Sequence, residues 1–201
     1  SVGPNHDAVL NGASIQLGGR YGQALRCTGG YAEVLNSGAL FNAVSNFTVS
    51  VWVKKAPNAD GEMVIVSKHR REDESGYFME FKTDDWTQFW LGNSEDSSQG
   101  TTPGFQSDMD DGLWHHWVGV YRHGVLPAES PPPGVIYTGT TFMYLDGREA
   151  GAEGSEGPVT NSHSVLFGAV HQDPNLGGGI AYPLDGWLDD VRVYSRALTP
   201  E

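Results

Sequence analysis

Cysteine is nearly absent from this 201-residue chain, since Cys27 is the only one. An internal disulfide cannot form, which excludes the disulfide-bonded frameworks that stabilise many small secreted domains. Within residues 24–27, alternation places Leu25 and Cys27 on one face of a strand. A nucleophilic cysteine needs an activating base nearby, and the neighbouring sequence supplies none. We therefore interpret Cys27 as a buried structural thiol.

Basic residues are also scarce, with 12 Lys and Arg against 25 Asp and Glu and a formal net charge of -13. Nucleic acids and anionic membrane surfaces both attract basic residues, so this charge argues against either partner. No apolar run is long enough to span a bilayer, and we expect no membrane insertion. The composition fits an outer-surface protein or one that holds calcium.

Turn-forming and aromatic residues are plentiful, with 27 Gly, 11 Pro, 6 Trp, 8 Tyr and 8 Phe. This combination favours short strands joined by turns over helices. The clearest strand pattern is at residues 47–54, where Phe47, Val49, Val51 and Val53 share one face. Further strands are predicted at residues 13–17, 23–27, 31–34, 62–68, 76–81, 88–92 and 141–145. The charged residues 69–75 predict a solvated hairpin end.

The C-terminal run 184–198 has the pattern of a half-buried strand, because Val191 and Val193 alternate with Asp190, Arg192 and Tyr194. From residue 186 it reads Gly-Trp-Leu-Asp-Asp-Val-Arg-Val-Tyr-Ser-Arg-Ala-Leu. This run resembles the last strand of the laminin-G-like jelly rolls in the concanavalin A-like lectin/glucanase superfamily. Residues 47–54, 111–121, 141–149 and 165–170 resemble other strands of that family, so the resemblance spans nearly the whole chain.

The resemblance implies an all-β fold, a two-sheet antiparallel jelly-roll sandwich of the concanavalin A-like kind, with a short helical turn near the C-terminus. We expect residues 1–201 to form one laminin-G-like domain. The family opens with a strand and a turn that residues 1–6 match only in part. We therefore expect a fragment of a longer chain that is extracellular or at the cell surface.

The resemblance also implies calcium, a structural ion that takes carboxylate and backbone carbonyl oxygens as ligands. Asp189 is the expected carboxylate ligand, and carbonyls near Gly29 are expected to add oxygens. The alternative is that Asp189 and Asp190 cap loop amides or pair with Arg192 or Arg196. His115 and His116 are adjacent on a predicted strand and point to opposite faces, so we expect packing or hydrogen bonding from them, and no shared metal.

Hydrolysis of a glycan would require a pair of carboxylates, because a glucanase needs two of them facing one cleft. Glu72 and Glu74 would share a face if extended, but they lie in a charged turn beside Arg70 and Arg71. No nucleophile-elbow pattern is present either. We therefore expect no enzyme activity.

A carbohydrate site needs aromatic platforms beside hydrogen-bonding groups, and strand ends and loops of jelly rolls supply such positions. The residues predicted to bind ligand are Tyr77, Trp86, Trp90, His171, Gln172 and Asp173. The leading hypothesis is a non-catalytic binding or adhesion module that recognises a glycan or a surface protein and is stabilised by calcium. The alternatives are a glycan hydrolase or lyase with an unrecognised active site, and a structural domain that self-associates through its sheet edges.

Overall fold

The computed structural model describes residues 7–35, 41–42, 44–70, 75–83, 86–92, 104–106, 109, 111–172 and 174–199. Within these residues the strands are β1 Ala8–Asn11, β2 Ser14–Gly19, β3 Gly22–Thr28, β4 Tyr31–Val34, β5 Phe47–Lys55, β6 Met63–Lys68, β7 Tyr77–Phe81, β8 Trp86–Leu91, β9 Gly104–Gln106, β10 His115–His123, β11 Gly139–Leu145, β12 Arg148–Ser155, β13 Val165–Phe167, β14 Val170–His171, β15 Ile180–Ala181 and β16 Asp185–Tyr194. A 3-10 turn lies at Pro174–Leu176, before the last strand.

The strands form two antiparallel sheets of seven strands each, which confirms the predicted sandwich. Sheet 1 has the order β1-β4-β13-β6-β7-β8-β9, and sheet 2 has the order β12-β11-β10-β5-β16-β3-β2. The strands β14 and β15 pair in a separate two-stranded hairpin. In the part of the chain that the structure describes, no helix is long and apolar enough to cross a membrane.

The core lies between the inner faces of the two sheets. In β5 the four residues that the alternation assigned to one face, Phe47, Val49, Val51 and Val53, are all buried there. Sheet 1 contributes inward side chains from β6, β7 and β8, among them Ile65, Met79, Phe81, Phe89 and Leu91. Because side chains alternate along a strand, the residues between these point to the outer faces.

Gly119 lies on the inner face of β10 against Phe89 of sheet 1. A Cβ atom at this position would lie 2.5 Å from ring atoms of Phe89. The missing side chain therefore makes room for the Phe89 ring between Trp117 and Tyr121, the two large inward residues of β10. On the outer face the same stretch presents Val118 and Val120.

The closing strand β16 contains a β-bulge that the simple alternation does not predict. Its pairing with β5 shifts register between Asp189 and Arg192, and Asp190 has a positive φ of 48°. The extra residue lets Leu188 and Val191, which are three positions apart, both face the core. Val191 and Val193 pack against the core as predicted.

Two local predictions have different outcomes. Cys27 is fully buried, and burial raises the pKa of its thiol to about 12, which confirms the structural interpretation.

The prediction of a solvated hairpin end at residues 69–75 is wrong at both ends. His69 and Ser75 are buried, and a ring nitrogen of His69 lies 2.8 Å from the carbonyl oxygen of Ser75. Residues 71–74, including Glu72 and Glu74, lie outside the described residues.

Candidate binding groove

Two of the predicted aromatic platforms are covered by the protein itself. Tyr77 is fully buried in the core between the sheets. Trp90 lies on the outer face of sheet 1, where its ring stacks on Phe78 at a centroid distance of 5.1 Å. The region of β14 and β15 packs onto this pair through Val170, so Trp90 offers no open ring face. Both predictions are wrong in this respect, because β7 and β8 are covered on both faces at these two positions.

The other predicted ligand residues are spread over the surface. Trp86 is 43% exposed at the start of β8. His171 and Gln172 line a small cavity of about 320 Å³ together with Tyr31 and Arg70. Burial lowers the pKa of His171. Trp86 is not among the residues that line this cavity, and Asp173 lies outside the described residues.

Asp189 has a structural role in the bulge of β16. Its carboxylate accepts hydrogen bonds from the backbone amides of Tyr21, at 2.7 Å, and of Asp190, at 2.8 Å. The side chain thereby ties the β2–β3 turn to the closing strand. Asp190 pairs with Arg192 at 2.8 Å. These contacts correspond to the capping alternative raised by the sequence.

The two predicted metal ligands do not meet at one site. In the pairing of β16 with β3, Leu188 lies opposite Leu25 and Asp185 opposite Thr28. Asp189 and Gly29 are therefore five residues apart along the strand direction, about 16 Å. Across the described ranges, no group of three or more His, Cys, Asp or Glu side chains could hold a metal ion. The donor set does not fit a calcium site shared by Asp189 and Gly29, and calcium binding stays a prediction.

Replacing Asp189 by alanine is expected to lower the free energy of unfolding by about 1–3 kcal/mol, because two backbone amides lose a charged acceptor. The loss should be the same in calcium and in excess chelator. Thermal unfolding under both conditions measures it. Asp190→Asn is the control for a surface ion pair, because asparagine tolerates the positive φ of this position, and it is expected to cost less than about 1 kcal/mol. A calcium-induced rise in the midpoint that disappears only in Asp189→Ala would instead place a metal at this residue.

A groove lies on the outer face of sheet 2. Its volume is about 580 Å³. The outward residues of β10, His116, Val118 and Val120, form its floor. Tyr144 of β11 pairs directly beside Val118, and Tyr194 lies on β16 at the opposite side. The groove is therefore an apolar trough between two tyrosine side chains.

The segment after β16 folds back over sheet 2 and forms the remaining wall of the groove. The hydroxyl of Thr48 donates to the carbonyl of Arg196 at 2.9 Å and accepts from the amide of Leu198 at 2.9 Å. Arg122 donates to the carbonyl of Leu198 at 3.2 Å. Side chains of Arg196, Leu198 and Thr199 line the groove. Three hydrogen bonds thus fix this wall to β5 and β10.

His116 closes one end of the floor. Its ring stacks on Trp52 at a centroid distance of 5.0 Å, and its Nε2 atom lies 2.8 Å from the hydroxyl of Ser50. Burial lowers the pKa of His116, which favours the neutral ring. The guanidinium carbon of Arg20 lies 4.6 Å from the centroid of the Trp52 ring. His116 is therefore held in place by the Trp52 ring and the Ser50 hydroxyl, and Arg20 packs on the same Trp52 ring.

His115 has different surroundings from its neighbour. Its ring nitrogens lie 2.8 Å from Asp146 and 3.1 Å from Asp111. Burial alone would lower the pKa of His115, but the hydrogen bonds and charges of Asp146 and Asp111 outweigh it and raise the pKa. The two adjacent histidines thus have pKa values displaced in opposite directions.

These displacements predict opposite pH dependences of stability. The stabilisation from charged His115 is complete below its unfolded pKa of 6.5 and is lost as the pH rises through its raised folded pKa. The stabilisation associated with neutral His116 is complete above its unfolded pKa of 6.5. It is lost as the pH falls through the lowered pKa of His116 in the folded state. In thermal unfolding, His115→Gln should therefore cost more in acid than in alkali, and His116→Gln should show the reverse. Parallel pH profiles for the two variants would contradict the assignment.

Sequence reasoning missed the groove residues, although a signal for them exists. Val118, Val120, Phe142, Tyr144 and Tyr194 occupy outward positions that alternation would normally give to polar residues. A strand that is apolar on both faces indicates that its outer face is also covered. Here residues 195–199 cover part of the outer face of sheet 2, and the groove lies beside them.

Comparisons with known proteins agree with this architecture. A laminin-G family model described as "Concanavalin A-like lectin/glucanases superfamily" matches residues 27–201. The fold is similar to the binding domain of Paraclostridial Mosquitocidal Protein 1, with a TM-score of 0.69 and 15% identity over 98% of this chain and 45% of that chain.

The fold is also similar to the binding domain of Botulinum neurotoxin DC, solved in two complexes. In complex with SialylT, the TM-score is 0.63 at 15% identity, over 98% of this chain and 44% of that chain. In complex with rat synaptotagmin II, the TM-score is 0.63 at 14% identity, over 98% of this chain and 45% of that chain. Identities this low show a shared fold alone, and the chain spans less than half the length of these structures.

Proposed function

Since the chain belongs to the laminin-G-like family of the concanavalin A-like lectin/glucanase superfamily, we propose that it is a non-catalytic module that binds a glycan in the outer groove of sheet 2. The observation that carries the proposal is the groove itself, an apolar trough with a partly exposed tyrosine, Tyr194, and an exposed arginine, Arg196. Its volume is in the usual range for sites that bind small ligands.

The chemistry of the groove suits a sugar. A sugar ring has apolar C–H faces and polar hydroxyl edges, so it pairs with an aromatic side chain that has a hydrogen-bonding tip. Tyr194 is partly exposed and provides such a side chain, while Tyr144 is buried and forms the opposite wall. Arg196 and Thr199 provide hydrogen-bonding groups at the rim. A binding domain of similar fold is known in complex with SialylT, which supports a glycan as ligand.

A surface protein is the second candidate partner of this module. A binding domain of the same fold is known in complex with rat synaptotagmin II. On this chain the apolar edge strands β1 and β2 favour a protein contact, because Val9, Leu10, Ile15 and Leu17 are all exposed there. Unpaired strand edges of this kind invite pairing with a neighbouring chain, including a second copy. Either partner fits a protein that works outside the cell or at its surface.

Hydrolysis is less well supported than binding. A glycosidase places two carboxylates about 5–10 Å apart across the scissile bond. Among the described residues that line the groove and the smaller cavity, none is Asp or Glu. The superfamily includes glucanases, so the distinction needs a direct test.

Screening on a glycan array, followed by an assay for released reducing ends on every hit, tests the proposal. The expected result is one or more glycan hits with no release of reducing ends. Release of reducing ends from a bound glycan would establish a hydrolase, and an array without hits would favour a protein partner.

A further inference from the structure

The basic residues of this acidic protein are concentrated on one face. The chain has a net charge of -13 and only 12 Lys and Arg residues. Six of these 12 lie on the outer side of sheet 2, on its strands or stacked on its aromatic side chains: Arg20, Arg26, Lys54, Arg122, Arg192 and Arg196. Resting on the proposed function, we infer that the glycan in the groove is acidic and that its carboxylate binds Arg196.

Three of these six cations form an ion pair or a hydrogen bond within the fold. Arg26 forms an ion pair with Asp185 at 2.8 Å and stacks on Trp187. Arg192 forms an ion pair with Asp190 at 2.8 Å. Arg122 is held by the carbonyl of Leu198 and stacks on Phe142. These three therefore support the face but are committed to internal contacts.

Arg196 differs from them in its environment. It is exposed, it lines the groove, and its guanidinium carbon lies 5.8 Å from the ring centroid of Tyr194. Across the described part of the chain it forms no ion pair. A guanidinium beside an aromatic ring at the mouth of an apolar trough can bind a carboxylate with two parallel hydrogen bonds while the sugar ring lies on the tyrosine.

The nearby carboxylates do not compete for this position. Asp190 is bound to Arg192, and Asp189 accepts two backbone amides. Asp146 is bound to His115 and to the amide of His116. Glu149 stands opposite Tyr144 on the edge strand and is not among the lining residues. Among the described residues, the lining thus combines one arginine and apolar floor residues and contains no carboxylate.

Calorimetric titration with matched sugar pairs tests the inference. The pairs are sialyllactose with lactose, and oligogalacturonate and hyaluronan hexasaccharide each with its carboxyl-reduced form. In at least one pair the acidic member should bind at least about tenfold more tightly than the neutral member, since one charge-assisted contact is gained. High salt should reduce this preference.

Three variants locate the effect. Arg196→Gln should weaken binding of the acidic sugar about tenfold and leave the neutral sugar unchanged. Arg196→Lys should recover part of the loss, because a charge returns without the planar fork. Lys82→Gln removes the same charge on sheet 1, where Lys82 pairs with Glu62, and should leave both affinities unchanged.

The possible failures are distinguishable. Equal affinity for the two members of every pair, with binding that Val118→Phe abolishes, would overturn the acidic preference and keep the groove as a glycan site. Equal losses in Arg196→Gln and Lys82→Gln would show an effect of net charge and overturn the role of Arg196. Chondroitin sulfate and its carboxyl-reduced form are titrated alongside these pairs. Tight binding of both forms would assign the anion as a sulfate and overturn the carboxylate. No binding of any sugar would overturn the inference together with the proposed function.

Discussion

Truncation of Trp117 to alanine is expected to destabilise the fold by about 3–5 kcal/mol, the usual cost of removing a buried tryptophan. Trp117 is fully buried on the inner face of β10, and its ring meets Phe81 of sheet 1 at a centroid distance of 5.0 Å. Its removal leaves a cavity between the two sheets. Chemical denaturation of the wild type and the variant measures the difference in their free energies of unfolding. The comparison uses one common dependence of the free energy on denaturant concentration.

Trp86→Ala is the matched control, because the same side chain is 43% exposed at the start of β8. Its cost should be about 1 kcal/mol or less. Side chains alternate along a strand, so an inward Trp117 requires an outward Val118. Equal costs for the two variants would place β10 in the wrong register and would remove the floor of the groove at the same time.

The second large effect is expected in ligand binding. Tyr194→Ala should weaken glycan binding by at least about 30-fold, which corresponds to about 2 kcal/mol, the threshold for a residue that dominates an interface. Tyr194 is the partly exposed tyrosine of the groove, and the guanidinium of Arg196 lies beside its ring. Calorimetric titration with a glycan found on the array measures the change, with the unfolding midpoint recorded for each variant.

Two further variants make this result specific. Val118→Phe leaves the inner face of β10 unchanged and fills the groove from its floor, so it should also abolish binding while keeping the fold. Tyr31→Ala removes an aromatic wall of the smaller cavity beside His171 and should leave the affinity unchanged. If Tyr31→Ala reduces binding and Tyr194→Ala does not, the smaller cavity is the ligand site.

Much of the fold could be predicted because its strands follow simple alternation. In β5 one face is entirely core, so the period of two in Phe47, Val49, Val51 and Val53 is unbroken. The bulge in β16 was harder to predict, since it depends on the need of Leu188 and Val191 to face the same core. Its signal in the sequence is that the core-facing positions change from even numbers, up to Leu188, to odd numbers from Val191.

The candidate site could not be predicted in the same way. Residue type identified Tyr77 and Trp90 as platforms, but type alone does not say which face of a strand is covered. Trp90 is covered by the region of β14 and β15, which a local pattern does not place over sheet 1. The groove depends on contacts between distant parts of the chain, such as the bonds of Thr48 to the segment after β16.

The central claim is that the outer groove of sheet 2 binds the glycan. Two-dimensional amide NMR during titration with the tightest glycan from the array tests it most directly, because each backbone amide reports its own surroundings. The account predicts that the largest shift changes fall on Val118, Val120, Tyr194 and Leu198. Changes concentrated on Tyr31, His171 and Gln172, with these four amides unmoved, would contradict it.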